Sequence, residues 1–278
     1  MITIRAFTCD DLDFGMKLKA QAGWNQTVAD WRRFLAIDPE GAFLAECHGG
    51  PVGTVFCCRF GSVAWVAMML VDESLRRRGI GRALMNEALR FADANGVSSV
   101  RLDATPLGRP LYESLGFRAD ATILRHEGKP RIVAPDVGRR IGPITEVEAL
   151  AHLDQIATGT DRSRLLIRMF HEDAGAFSLV DDSNEAAFVW SRPGTRGRQI
   201  GPCVALAEGN GRGLLAAELA RITGQSVVVD VPECHEAALG LVRDAGLSVA
   251  RSLTRMTRGP AIAERLDLIW AGYGPELG

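Results

Sequence analysis

The chain has 278 residues, 47% hydrophobic and 24% charged, with 32 Lys and Arg against 34 Asp and Glu. Its length is nearly twice the ~150 residues typical of one domain, which predicts two domains, and the composition excludes disordered and fibrous classes. A formal charge of −2 provides no global field for gathering DNA, RNA or anionic lipid.

Charges in Met1 to Asp11 fall where a signal peptide needs its apolar stretch, so a cytoplasmic location is expected. Thr8-Cys9-Asp10-Asp11 reads as a capping box and starts a helix near residue 9. Thr27-Val28-Ala29-Asp30 repeats the box ahead of Trp31, Phe34 and Leu35, so a second short helix follows the loop Gly23-Trp24-Asn25-Gln26. Residues 42–47, 51–60 and 63–71 are apolar segments separated by His48-Gly49-Gly50 and Gly61-Ser62, the pattern of a β-meander. The third is apolar on both faces and reads as central. At nine residues it is also the longest apolar run, against the ~20 that a membrane-spanning helix needs, so no membrane segment is expected.

A loop, Asp72 to Gly81, then opens an amphipathic helix through Leu84, Ala88, Leu89 and Phe91 that ends at Asn95-Gly96. A strand at 100–104, a short helix at 107–115 closed by Gly116 and a strand at 117–125 complete a mixed α/β order. Residues 127–143 are rich in Pro, Gly and charge without periodicity and are the expected linker. Helices around 146–158 and 162–171 and strands at 176–180 and 186–190 then restart the order of the first half. The expected domains are therefore 1–126 and 144–278.

A shift of 130 residues lays Gly79-Ile80-Gly81-Arg82-Ala83-Leu84 on Gly209-Asn210-Gly211-Arg212-Gly213-Leu214, and also Leu111 on Leu241 and Gly116 on Gly246. Shared spacing across several elements points to duplication. The copies differ where chemistry would sit: Arg76, Arg77 and Arg78 fall on Leu206, Ala207 and Glu208, and Tyr112 falls on Val242. The second copy has lost the run of three cations and the phenol, so one anion site per chain is expected.

Backbone amides converging at a helix N-terminus bind phosphate, because unpaired donors and the helix dipole both favour negative charge. Gly79 and Gly81 let a ligand approach that backbone, and Arg76, Arg77, Arg78 and Arg82 add bidentate donors. Position 84 is Leu where a dinucleotide fingerprint wants Gly, and no Gly-Lys-Ser/Thr follows, which weakens both nucleotide readings.

Arg76-x-x-Gly79-x-Gly81 after a central strand, with Leu111-Tyr112-Glu113-Ser114-Leu115-Gly116-Phe117, resembles the GNAT family of N-acetyltransferases over residues 1–126. The second half resembles the divergent C-terminal domain of tandem GNAT-like proteins. The resemblance implies two GNAT-like domains, each a mixed, mostly antiparallel sheet flanked by helices. It implies acetyl-CoA as co-substrate, its pyrophosphate on the backbone of Arg77 to Ala83, including Ile80, and its pantetheine along Met69, Leu70 and Val71. It also implies that Tyr112 protonates the departing thiolate. A phenol keeps its proton at neutral pH yet is more acidic than water. Two positions depart from the family pattern: Thr105 stands where many members carry Asn, and Trp65 stands where histone-type members carry a basic Glu.

The resemblance brings the acceptor between the first two helices, beside Trp24 and Asn25. Trp24 either walls the substrate or caps the core. Asp103 faces either the pocket or a strand-edge hydrogen bond. Asp161 either reaches the pocket or caps a helix, and Asp154 either reaches it or lies on a solvated face. Cys57 and Cys58 face opposite ways on a strand with no nearby His, so direct transfer in a ternary complex is expected rather than an acyl-cysteine. No metal motif occurs among the five His and six Cys. The expected partner is a small-molecule primary amine, not nucleic acid or membrane, and the sequence leaves a homodimer open. A rival reading is a non-catalytic acyl-CoA sensor with a regulatory second half.

Overall fold

The structure, a computed structural model, describes residues 1–131, 140–144, 146–172, 176–180 and 187–278, and nothing of the side chains of Arg140 or 176–180. In the first half, β1 (Ile2–Ala6), α1 (Leu12–Gln21) and α2 (Val28–Ile37) precede the meander β2 (Ala42–Cys47), β3 (Gly50–Phe60) and β4 (Val63–Val71). Then follow α3 (Ile80–Ala94), β5 (Ser99–Ala104), α4 (Arg109–Glu113) and β6 (Arg118–Gly128). The second half repeats this plan as β7 (Arg140–Pro143), α5 (Val147–Thr158), α6 (Ser163–His171), β8 (Ala176–Val180), β9 (Ala187–Arg192), β10 (Arg198–Ala205), α7 (Glu208–Arg221), β11 (Val227–Pro232), α8 (Glu236–Asp244) and β12 (Ser248–Arg258). A short β13 (Ile269–Ala271) follows.

Local signals account for most of these boundaries. Asp30 accepts from the Thr27 amide at 2.7 Å and from its hydroxyl at 2.8 Å, closing the box that starts α2. The box at Thr8 caps a single 3-10 turn, Cys9–Asp11, and the α-helix itself begins later, at Leu12. Strand β1 has no counterpart in the sequence reading. Its alternation is short and largely exposed, and only pairing with β2 defines it.

The strand order β1-β2-β3-β4-β5-β12-β6-β11-β10-β9-β8-β7 joins both halves into one sheet, with β13 beside β10. The halves have exchanged their closing strands. Strand β12 lies between β5 and β6 of the first half, and β6 lies between β12 and β11 of the second. Both strands run 11 residues and start 130 apart, at Arg118 and Ser248. The expected linker therefore contracts at both ends: β6 continues to Gly128 because Gly128 pairs with Val227 across the halves, and β7 begins at Arg140. Residues 132–139 of that segment lie outside the described residues.

Each crossing carries a buried ion pair. Arg125 on β6 faces Asp230 on β11, with Nε–Oδ1 at 2.8 Å and Nη2–Oδ2 at 2.7 Å. Arg255 on β12 faces Asp103 on β5, at 2.9 and 3.0 Å. The two arginines are again 130 residues apart.

Three apolar clusters flank the sheet. One packs Ile80, Leu84, Met85 and Ala88 of α3 against Val55, Val66 and Val100. Another packs Leu214, Leu219 and Leu241 against β9 to β11. A third spans both halves, from Trp31, Phe34 and Phe56 to Leu150, Leu165, Met169 and Trp190. Joined by a shared sheet and a shared core, the halves are expected to unfold as one cooperative unit. Arg125→Met, which strands Asp230 in the interior, is expected to cost about 3–5 kcal/mol by urea denaturation, and Arg125→Met/Asp230→Leu much less.

Candidate active site

Strand β4 pairs with β5 only over Val63–Trp65 with Ser99–Arg101, although β4 runs on to Val71 and β5 to Ala104. The divergence has a local cause. The β3–β4 register slips between Thr54 and Phe56, Met68 takes φ +48°, and Thr54 Oγ1 donates to Met68 O at 2.7 Å. This bulge turns the end of β4 aside and leaves Met69 to Val71 without a β5 partner.

The loop after β4 is shaped by Asp72, which accepts from the Ser74 amide at 3.1 Å, and by left-handed Arg77 (φ +62°) and Gly79 (φ +82°). Helix α3 starts at Ile80, so the amides of Ile80, Gly81 and Arg82 have no intrahelical acceptor. A cavity of about 970 Å³ joins this loop to the notch. Met69, Leu70, Val71, Arg76, Arg77, Gly79, Ile80, Gly81, Arg82 and Thr105 line it; Arg78 and Ala83 do not. Arg76 Nε donates to Val71 O at 3.3 Å and Arg82 Nη2 to Ser114 Oγ at 2.8 Å, bracing the loop. Thr105 Oγ1 accepts from the Gly108 amide at 3.3 Å, which anchors the start of α4.

Tyr112 lines the same cavity and is largely buried, its ring edge-on to Phe117. A Cβ at Gly108 would stand 2.9 Å from its Cε2, so glycine there gives the ring its place. Burial pushes the phenol up to about 12, and among the described residues its hydroxyl has no hydrogen-bond partner. Burial likewise pushes the Cys57 thiol up to about 12, which makes it a poor nucleophile.

Descriptions of the acetyltransferase (GNAT) domain match residues 38–119 and, separately, residues 150–271. The chain belongs to the GNAT acetyltransferases. It is a tandem member, with one GNAT domain in each half. It is 37% identical over 141 residues to the uncharacterized N-acetyltransferase MJ1207 of Methanocaldococcus jannaschii, covering 44% of this chain and 62% of that one. It is 28% identical over 156 residues to the uncharacterized N-acetyltransferase YitH of Bacillus subtilis, covering 54% of each. The chain thus spans about half to three fifths of the length of these curated relatives. The solved structure of a candidate acetyltransferase from Pyrococcus horikoshii superposes with a TM-score of 0.86 at 25% identity, covering all of this chain and 96% of that one.

The second GNAT domain has the same notch, but it is filled. Strands β10 and β11 pair only over Arg198–Ile200 with Val227–Val229, and beyond that β13 pairs with β10 through Cys203 and Val204. The indole of Trp270 lies where a Cβ on Gly211, the counterpart of Gly81, would collide with it, and the His235 ring packs on it at 4.5 Å. The sequence differences alone pointed to repulsion at Glu208; the structure adds a physical plug.

Trp24 lines the cavity and packs on the shared core. Three other assignments change. Asn25 does not line the cavity: its amide oxygen accepts from the backbone of Arg196 at 2.9 Å and Gly197 at 3.2 Å, clamping a loop of the second half. Asp161 accepts from the Ser163 amide at 3.0 Å and caps α6 away from the cavity. Asp154 is not solvated but fully buried and bidentate with Arg162, at 2.6 and 2.8 Å. Asp103 lines the cavity, but both its oxygens are committed to Arg255.

Gln26, in the loop that the sequence reading set beside the acceptor, lines the cavity, but that reading missed Arg251, Pro275 and Glu276. These three come from the second half, and only the exchange of strands and the path of the chain after β13 bring them in. Glu276 Oε1 accepts from Arg192 Nη2 at 2.6 Å and Oε2 from Gln26 Nε2 at 2.8 Å. Burial pushes its carboxyl above the usual glutamate range, with Asp30 adding to the rise and Arg192 opposing it. Its segment lies over Trp65, whose Nε1 donates to Pro275 O at 3.2 Å.

Calorimetric titration with CoA is expected to give one site per chain. Two equivalent sites would mean that β13 and Trp270 yield to ligand.

Proposed function

We propose that the protein transfers the acetyl group of acetyl-CoA directly to a primary amine within a ternary complex. The amine nitrogen attacks the thioester carbonyl carbon, the C–S bond breaks, and the surplus proton on nitrogen is taken up by a base. The loop amides, with Arg76, Arg77 and Arg82, hold the pyrophosphate, and the edge of Met69 to Val71 that has no β5 partner holds the pantetheine arm. Tyr112 serves the leaving sulfur. Its phenol, at about 12, is weaker than a thiol at ~8.5, so its main effect is a hydrogen bond to the developing thiolate.

Glu276 supplies the base in this scheme. Three carboxylates line the cavity. Glu73 is exposed beside Arg76 in the phosphate loop, and Asp103 is tied to Arg255. Glu276 takes one side-chain donor on each oxygen and a third donor from its own backbone amide, which still leaves the carboxylate one accepting position. It also reaches the cavity over Trp65, the position where the family pattern puts its basic Glu. One cavity that joins the loop amides, Tyr112 and a buried carboxylate carries the proposal. The names of the relatives, both N-acetyltransferases, support an amine as acceptor.

Thiol release from acetyl-CoA with an amine panel tests it. Tyr112→Phe is expected to lower kcat about 10- to 100-fold, the worth of one hydrogen bond to a charged group, while leaving the Kd for CoA unchanged. Undiminished turnover removes Tyr112 from the mechanism, and CoA binding without turnover on any amine favours the sensor. Glu276 must be ionised to accept a proton, so kcat/KM is expected to rise with pH along an acid limb displaced above the ordinary glutamate range. In Glu276→Gln that limb should vanish together with most of the rate. On the alkaline side, Tyr112 keeps its proton until pH approaches about 12 and adds no descending limb below that.

A further inference from the structure

Arginines outside the phosphate loop also line the cavity, and their partners differ. Arg125 is neutralised by its bidentate contact with Asp230. Arg251, half-buried on the exchanged strand β12, has no hydrogen bond or ion pair among the described residues. It sits directly opposite Arg125 in the β12–β6 register. Like charges facing each other across a ladder are destabilising, and a half-buried cation without a counter-ion has lost hydration with nothing in return. Burial and the neighbouring Arg125 both push the Arg251 guanidinium below its usual range, and Arg196 adds to the effect while Glu127 and Asp230 oppose it. None of these neighbours lies on the 76–82 loop, so the unmet positive charge is distinct from the pyrophosphate cradle. Arg125 also feels the Glu276 carboxylate, and Arg125, Glu276 and Arg251 all line the same cavity.

We propose that the acceptor is an amine that carries an anionic group, carboxylate or phosphate, and that Arg251 grips that anion while the amine faces Glu276. The inference rests on the acetyl-transfer reading above and narrows its substrate class. A guanidinium offers a planar fork that matches either anion bidentately. Bridging the anion between Arg251 and the partly satisfied Arg125 turns a repulsive register into a binding one. The second half thus contributes the group that selects the substrate, from a strand lodged in the first half's sheet.

The test offers the full-length protein acetyl-CoA and a broad panel of matched amines, each with and without its anion, such as glycine against glycinamide and 2-aminoethyl phosphate against ethanolamine. Thiol release should favour the anionic member of active pairs at least about 10-fold in kcat/KM. The carboxylate and phosphate arms show which anion is read. Arg251→Gln should raise KM for anionic acceptors about 10- to 100-fold, leave KM for acetyl-CoA unchanged and abolish the preference, with Arg251→Lys restoring part of it. Equal or better turnover of neutral amines overturns the inference but leaves acetyl transfer standing. A preference unaltered in Arg251→Gln, or a rise confined to KM for acetyl-CoA, overturns it as well. Absence of transfer to every amine, with CoA still bound, overturns the acetyl-transfer reading itself. Should Arg251→Gln fail to fold, the preference of the unaltered protein decides.

Discussion

Two buried guanidinium–carboxylate pairs, Arg125–Asp230 and Arg255–Asp103, fasten each half's closing strand into the other half's sheet. All four side chains are at most 3% exposed, so each charge is costly alone and tolerable only with its partner in register. A one-residue slip of β6 or β12 would turn the arginine to the opposite face and leave both charges unpaired. Hydrophobic pairing holds the strands to the sheet; the ion pairs select which strand and which register.

The mixed composition of the cavity follows from that exchange. Because β12 lies next to β5, Arg251 and Leu253 of the second half line a cavity whose Gly79-x-Gly81 loop belongs to the first. A second buried network ties the acceptor side together. Burial alone would raise the Asp30 carboxyl, but Arg192 and Arg33 outweigh it and hold it below the usual range. Arg192 then reaches Glu276, and Arg33 donates to the Tyr273 hydroxyl at 2.8 Å. The same Asp30 caps α2, so helix start, interface and proposed base share one carboxylate.

The sequence made legible whatever depends on local chemistry. The boxes at Thr8 and Thr27, the glycine-broken meander and the Gly79-x-Gly81 helix start are written in neighbouring residues, and each element appears near its expected place. The loop side of the cavity is equally local, since loop, strand end and Tyr112 helix lie within one continuous stretch. What escaped depends on distant pairing. The 130-residue offset matched the copies but carries no information on which sheet a closing strand joins, although Arg125 and Arg255 at that offset were its trace. Asn25 and Asp154 were misread because a buried amide and a buried carboxylate look like site residues until their partners, 171 and 172 residues away for Asn25 and eight away for Asp154, are known. Glu276 has no counterpart in the first copy, so no repeat comparison reaches it.

Strand β13 binds the two domains to each other's sites. A loop that has lost its arginines can recover them by single substitutions. A notch whose edge has been taken by the chain's own Ile269–Ala271 cannot be reopened that way, because the same segment leads into residues 272–278, which roof Trp65 and bring Glu276 to the other cavity. Displacing β13 would also displace the segment that lines the first domain's cavity. The two domains thereby constrain each other: the segment that fills one notch is the one that roofs the other.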